Sequence, residues 1–112
     1  MNKGANLSVV DQRSAARHSV DYTVIAEHRT LGDIKAHIVN ISANGFMTEG
    51  DMPLQKGERL SLRMPVIGMI EAHMIWSLGG RAGFQLERII RPAEFTEMVE
   101  ALQPRSSPRK YR

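Results

Sequence analysis

Two short clusters of polar residues combine side-chain types that bind anions and nucleobases. The first, Arg13-Ser14-Ala15-Ala16-Arg17, holds two arginines four residues apart, and the second is Asn40-Ile41-Ser42-Ala43-Asn44-Gly45. Guanidinium groups form paired hydrogen bonds to phosphates and to the acceptor edge of guanine, and they also stack on purine rings. An amide donates and accepts at once, and glycine permits close backbone approach. Taken singly, each cluster is a weak signal. Two arginines at this spacing are also typical of a solvated loop or a frayed helix turn, and the second cluster is more often a polar turn that closes a hairpin.

The other reactive side chains form no recognised catalytic or metal-binding pattern. Cysteine is absent, which excludes thiol nucleophiles, disulfides and cysteine-ligated metals. Ser42 lacks a GxSxG environment, and the glycine-rich run 79–83 lacks the Lys-Ser/Thr ending of a P-loop. Four histidines without HxH or HxxxH spacing are interpreted as scattered, solvent-facing residues: His18, His28, His37 and His73. We therefore expect no enzyme, no metal and no cofactor.

The positive charge of the chain is concentrated in its last residues. The net charge is +3, from fifteen Lys and Arg against twelve Asp and Glu. Setting aside Arg105, Arg109, Lys110 and Arg112 leaves eleven basic residues in a nearly neutral body. Such a body, poor in aromatic side chains for base stacking, does not predict binding to a nucleic-acid polymer. No segment approaches the roughly 20 apolar residues of a membrane span, and no signal peptide is evident, so a cytoplasmic location is expected.

The length of 112 residues is that of one domain. Residues 1–10 lack a sustained period and are predicted to form a flexible arm, while 103–112 have the Pro, Ser and basic bias of a disordered tail. The domain is therefore expected to span residues 11–102.

Most of this domain alternates apolar and polar residues with a period of two, which predicts β-strands. The first strand shows Val20, Tyr22, Val24 and Ala26 on one face, with Ile25 as the exception. Asn44-Gly45 is predicted to be a turn because both residue types accept positive φ. In the strand 69–78, Trp76 alternates with Ala72 and Met74 and is predicted to face the core. Further strands or short apolar pieces are expected at 34–41, 46–47, 60–64 and 81–87.

The period changes only near the C-terminus. Pro92 suits the first turn of a helix, and Phe95, Met98, Val99 and Leu102 follow with the spacing of one helical face. About six short strands with tight turns and a single terminal helix indicate an all-β fold, a small antiparallel barrel.

The two polar clusters, in this order and on this β pattern, resemble the RxxxR and NxSxxG motifs of the PilZ domain family, bacterial receptors for cyclic di-GMP. Residues 20–24 resemble the first strand of the family, and Ala72 to Trp76, with Gly79, Gly80, Gly83 and Phe84, resemble its last hairpin. The likeness covers roughly residues 11–102. It implies a six-stranded antiparallel Greek-key β-barrel with a C-terminal α-helix.

The resemblance also implies a ligand site. Arg13 and Arg17 would close over the ligand cyclic di-GMP, while Asn40, Ser42 and Gly45 would form the half of the site on the barrel. Asparagine stands at position 40 where many members have aspartate, which removes a charge that would orient an arginine. Arg81, beside the last hairpin, is a weaker candidate for an additional phosphate contact.

Three functional hypotheses follow. The leading one is a non-enzymatic signalling effector that binds cyclic di-GMP and acts on a downstream protein partner. The alternative is a ligand-independent PilZ-like interaction module in motility or exopolysaccharide regulation. A third hypothesis is a small RNA- or DNA-binding barrel assisted by the basic tail.

Overall fold

A computed structural model describes residues 17–103, which fold into six strands and one helix. Arg13, the predicted arm 1–10 and positions 104–112 of the predicted tail lie outside the described residues. The elements agree with the predicted order and confirm the predicted fold class. They are β1 (His18–His28), β2 (Gly32–Ile41), β3 (Gly45–Glu49), β4 (Arg59–Met64), β5 (Gly68–Leu78), β6 (Arg81–Leu86) and α1 (Pro92–Leu102).

The strands close into an antiparallel barrel in the order β1-β2-β3-β6-β5-β4. The meander β4-β5-β6 returns beside β3, which is the Greek-key arrangement. β1 meets β4 at the Glu27–Ser61 position and completes the barrel. Because the described sheet is closed, every strand in it has a partner on both sides.

The inward-facing residues of the strands fill the barrel with a continuous apolar core. Phe46 and Phe84 stack in it, with ring centroids 5.0 Å apart. The alternation predicted for β1 is confirmed, since Val20 and Ala26 are buried while Ile25 faces outward. Other fully buried members of the core are Ile38, Ile41, Leu60, Leu62 and Met74.

Helix α1 lies at the end of the barrel where β1 begins. Its apolar face is buried, as the spacing predicts, and the ring of Phe95 lies 5.4 Å from that of His18. The linker before α1 is held by a hydrogen bond from the Ile90 amide to the Ala43 carbonyl. Among residues 17–103, no helix has the length and apolar character needed to cross a membrane.

At the opposite end of the barrel, His28 ties the β1–β2 turn to the segment before β4. Its Nδ1 accepts hydrogen bonds from the amides of Leu31 (3.0 Å) and Thr30 (3.2 Å). The ring hydrogen is therefore on Nε2, which donates to Glu58 Oε1 at 2.7 Å. The side chain of His28 is only 9% exposed, so the solvent-facing interpretation is wrong for this histidine.

Candidate functional site

Ser42 shapes the turn between β2 and β3. Its amide donates to the Gly45 carbonyl at 2.8 Å, and its hydroxyl oxygen accepts from the Asn44 amide at 3.2 Å. The residue is 8% exposed. A serine that bonds the backbone two residues ahead is a common means of fixing a turn. Ser42 therefore holds the backbone of the NxSxxG segment in place.

Gly45 is needed for close packing of two strands. Neither Asn44 nor Gly45 has a positive φ, so the predicted reason for this turn is wrong. Gly45 instead pairs with Gln85 at the start of β3, where an added Cβ would overlap the carbonyl oxygen of Phe84 and lie 3.2 Å from its carbon. The absence of a side chain lets β3 approach β6.

Asn40 presents a buried acceptor without a partner. In the register of the sheet it lies between Ser19 on β1 and Met47 on β3, on the outward face. Its Oδ1 is buried and accepts no hydrogen bond within the described part of the chain. An unsatisfied buried polar atom destabilises a fold by about 1–3 kcal/mol. This oxygen is therefore an unused acceptor, and a donor from a ligand or from another segment can reach it once the Asn40 side chain turns outward.

Trp76 lies on the outside of the barrel, so the prediction that it faces the core is wrong. The register shifts within β5: Met74 pairs with the buried Phe84, while Trp76 pairs with Gly83. One extra residue, Ile75, is thus accommodated in a β-bulge, which reverses the face of every following side chain. Trp76 is 39% exposed. The apolar triplet 74–76, which breaks the alternation, is the sequence signal of this bulge.

The indole of Trp76 is held flat against the neighbouring strand by a glycine. A Cβ added to Gly83 would overlap the indole Nε1, and Gly83 is buried although it faces outward. An aromatic ring that covers a cross-strand glycine recovers apolar contact that the glycine lacks. Trp76 therefore forms a fixed aromatic surface on the barrel exterior.

Together these residues form a row across five neighbouring strands, which we call the outer row. Adjacent strands are about 4.8 Å apart, so the row extends over about 19 Å. It combines an aromatic surface at one end with an amide acceptor near the other. In order around the barrel its members are Ser19, Asn40, Met47, Gly83 and Trp76.

Arg17 lies beside the Asn40 end of the outer row. It is exposed and directly precedes β1, whose Ser19 pairs with Asn40. Within residues 17–103 it forms no ion pair. The structure thus brings Arg17 near Asn40, while Arg13 is outside the described residues.

Arg81 lies two residues along β6 from Gly83, a member of the outer row. Its register partner on β3 is Glu49, and its Nη2 lies 3.1 Å from Glu49 Oε2. Both side chains are about half exposed, and such pairs contribute about 0–1 kcal/mol. Arg81 can therefore exchange this carboxylate for another anion at little loss of stability.

Replacing Gly83 with alanine tests how Trp76 is held. We expect the new methyl group to lift the indole from β6, which lowers the free energy of unfolding by about 1 kcal/mol, the low end for overpacking, because the ring can move. Tryptophan emission should shift to longer wavelength as the ring enters water. Gln85→Ala, an exposed change on the same strand, should leave both quantities unchanged. An unaltered emission spectrum in Gly83→Ala would contradict this arrangement.

Comparison with known proteins gives one family. The family model described as PilZ domain matches residues 11–102. No curated protein sequence matches the chain. Among solved structures, the chain is similar to the Bacillus subtilis inhibitor of motility (MotI/DgrA), with 17% identity and a TM-score of 0.47. The match covers 81% of this chain and 49% of that one, so the chain spans about half the length of that protein.

Proposed function

Since the chain belongs to the PilZ domain family, we propose that it is a non-enzymatic signalling protein whose outer row binds cyclic di-GMP. The observation that carries the proposal is the buried, unpaired Oδ1 of Asn40 on the same face as the exposed ring of Trp76. A base that donates hydrogen bonds at its edge and stacks through its face satisfies both features.

The chemistry of guanine matches the outer row. Its exocyclic amine is a donor for Asn40 Oδ1, and its O6 and N7 are paired acceptors for a guanidinium group. Ser42 and Gly45 contribute by fixing the backbone that carries Asn40. Arg17, and Arg13 four residues earlier, supply the guanidinium groups for the bases and for the two phosphates of the ligand.

Trp76 provides a surface for the second base. Stacking of a base on an aromatic side chain contributes about 1–3 kcal/mol. The indole needs little reorganisation to bind because Gly83 already holds it in place. Arg81 is close enough to the outer row to exchange its contact with Glu49 for a contact with a phosphate of the ligand. It remains the weaker candidate in the site.

Signalling would follow from the segment before β1, which carries the two arginines. Ligand contacts from Arg13 and Arg17 fix the segment before β1 against the barrel and create a new surface there for a protein partner. Residue 18, next to Arg17, contacts Phe95 of α1. Fixing this segment therefore also affects the side chains that join β1 to the helix.

The variant Asn40→Leu distinguishes a role of Asn40 in ligand binding from a role in folding, because it should weaken binding without lowering stability. Removing the unpaired buried oxygen should leave the free energy of unfolding unchanged or raise it by about 1 kcal/mol. The same change should weaken cyclic di-GMP binding roughly tenfold, because the ligand loses its acceptor. Calorimetric titration and urea unfolding of the same preparations measure the two effects.

The proposal also requires that the wild-type chain bind cyclic di-GMP saturably, with a change in tryptophan emission. Absence of heat and of any emission change at high micromolar ligand would refute it. Equal affinity of wild type and Asn40→Leu would show that Asn40 is not part of the site. The receptor hypothesis would then be tested by the arginine variants.

A second candidate function is a ligand-independent interaction module. It is favoured by Ser42 and Gly45, whose roles in the turn and in strand packing account for two motif residues without a ligand. In that case a partner protein would bind with the same affinity in the presence and absence of cyclic di-GMP.

A further inference from the structure

A second exposed surface, separate from the outer row, lies on β1, β5 and the turn between β4 and β5. It contains three large apolar side chains that are about half exposed: Ile25 (55%), Val66 (51%) and Met69 (47%). Ile25 is the residue that interrupts the alternation of β1. Its outward position leaves about half of its surface exposed to solvent, so its hydrophobic character is available for an interaction.

The sheet register aligns this apolar surface with two cations. Lys35 pairs with Ile25, and Arg63 pairs with Met69. Continuing the Glu27–Ser61 pairing by two residues places Ile25 next to Arg63. The resulting sequence around the barrel, which we call the basic–apolar row, is Lys35, Ile25, Arg63 and Met69.

The turn beside this row is strained. Val66 has φ 72°, and it is the one non-glycine residue with positive φ among residues 17–103. The Ile67 amide donates to the Pro65 carbonyl at 2.7 Å, which closes a three-residue turn around Val66. A β-branched residue in this conformation destabilises the fold, and such outliers concentrate at functional sites. Glycine would form the same turn without strain, so an exposed valine here points to a contact outside the fold.

The charges of the row are not used within the described fold. Neither Lys35 nor Arg63 forms an ion pair with a carboxylate in residues 17–103. Glu27 and Asp33 lie one row closer to the β1–β2 turn and pair with each other in register. A partner therefore meets cations and apolar groups along the row, and carboxylates on one side of it.

We propose that the basic–apolar row binds an acidic amphipathic helix of a partner protein. The closed sheet has no free edge among the described strands, so a partner cannot add a strand and must dock through side chains. Lys35 and Arg63 are two strand spacings apart, about 10 Å. In a helix, residues i and i+7 are about 10.5 Å apart. Acidic residues at those positions reach both cations, and apolar residues at i+3 and i+4 pack on Ile25.

The test uses two synthetic helical peptides and the isotope-labelled full chain. The acidic peptide has Glu at i and i+7 and Leu at i+3 and i+4, and its matched control has Lys in place of the two Glu. We expect the acidic peptide to shift backbone resonances of the basic–apolar row and of Val66, and the control peptide to cause no such shifts. This surface does not include the outer row, so the result is independent of cyclic di-GMP binding.

Variants of exposed residues define the contribution of charge and of apolar contact. Lys35→Glu combined with Arg63→Glu should weaken binding of the acidic peptide roughly tenfold or more, whereas Arg29→Glu, on the β1–β2 turn, should not. Ile25→Ser should also weaken it, whereas Leu78→Ser, which changes an even more exposed residue at the end of β5, should not.

Three results would overturn the proposal: equal binding of both peptides, shifts confined to another face, or unchanged affinity in the double charge reversal. Sedimentation of the chain alone tests whether the surface binds a second copy of the chain instead. If the chain is a dimer that Arg63→Glu dissociates, the surface binds a second copy and not an acidic helix.

Discussion

Replacing Arg17 with alanine is expected to weaken cyclic di-GMP binding by roughly 10- to 150-fold, the range for losing hydrogen bonds made by a charged group. The side chain is exposed and lies beside Asn40, so its removal should not change the free energy of unfolding. Calorimetric titration of the variant and of wild type measures the effect. Arg13→Ala is expected to have an effect of the same order if the two arginines act together.

Arg29→Ala is the matched control, since it removes an exposed arginine at the opposite end of β1. It should bind the ligand like wild type. Arg17→Lys keeps the charge but loses the planar fork, so most of the loss should persist. Full affinity in Arg17→Lys would mean that Arg17 acts only through its charge, and full affinity in Arg17→Ala would remove it from the site.

Replacing Gly45 with alanine is expected to lower the free energy of unfolding by about 3 kcal/mol, the upper end of the range for overpacking. The overlap is with a backbone carbonyl, that of Phe84, which cannot rotate away as a side chain does. β3 and β6 must therefore separate, and the stacked rings of Phe46 and Phe84 separate with them. Urea unfolding gives the change in free energy.

Gly50→Ala is a useful comparison because the added Cβ meets open space while φ is +106°. It should lose about 1–2 kcal/mol from backbone strain alone. A Gly45→Ala protein as stable as wild type, yet with weakened ligand binding, would show that Gly45 contacts the ligand and has no packing role.

The strands and the terminal helix can be predicted from the sequence, because the spacing of apolar residues and the amphipathicity of a segment are local properties. The face of Trp76 cannot, since it depends on a one-residue bulge that strict alternation does not anticipate. The sequence predicts a role in the turn for Gly45, whereas its role in the fold depends on β6, a strand that is distant in sequence. The same limit applies to the unpaired oxygen of Asn40, because burial of one atom is decided by strands that meet only in the folded barrel.

The contact between β1 and β4 has a consequence for the dynamics of the barrel. β1 follows β2 in register along most of its length, but its ladder with β4 holds only the Glu27–Ser61 position. Local opening begins where few backbone hydrogen bonds must break, so amide hydrogens at this seam should exchange sooner than those of the core strands. Ile25 and Arg63 lie on opposite sides of the seam. A molecule that contacts both residues would hold the two strands together and slow the local opening of the barrel. Binding at this surface would therefore make the barrel more rigid.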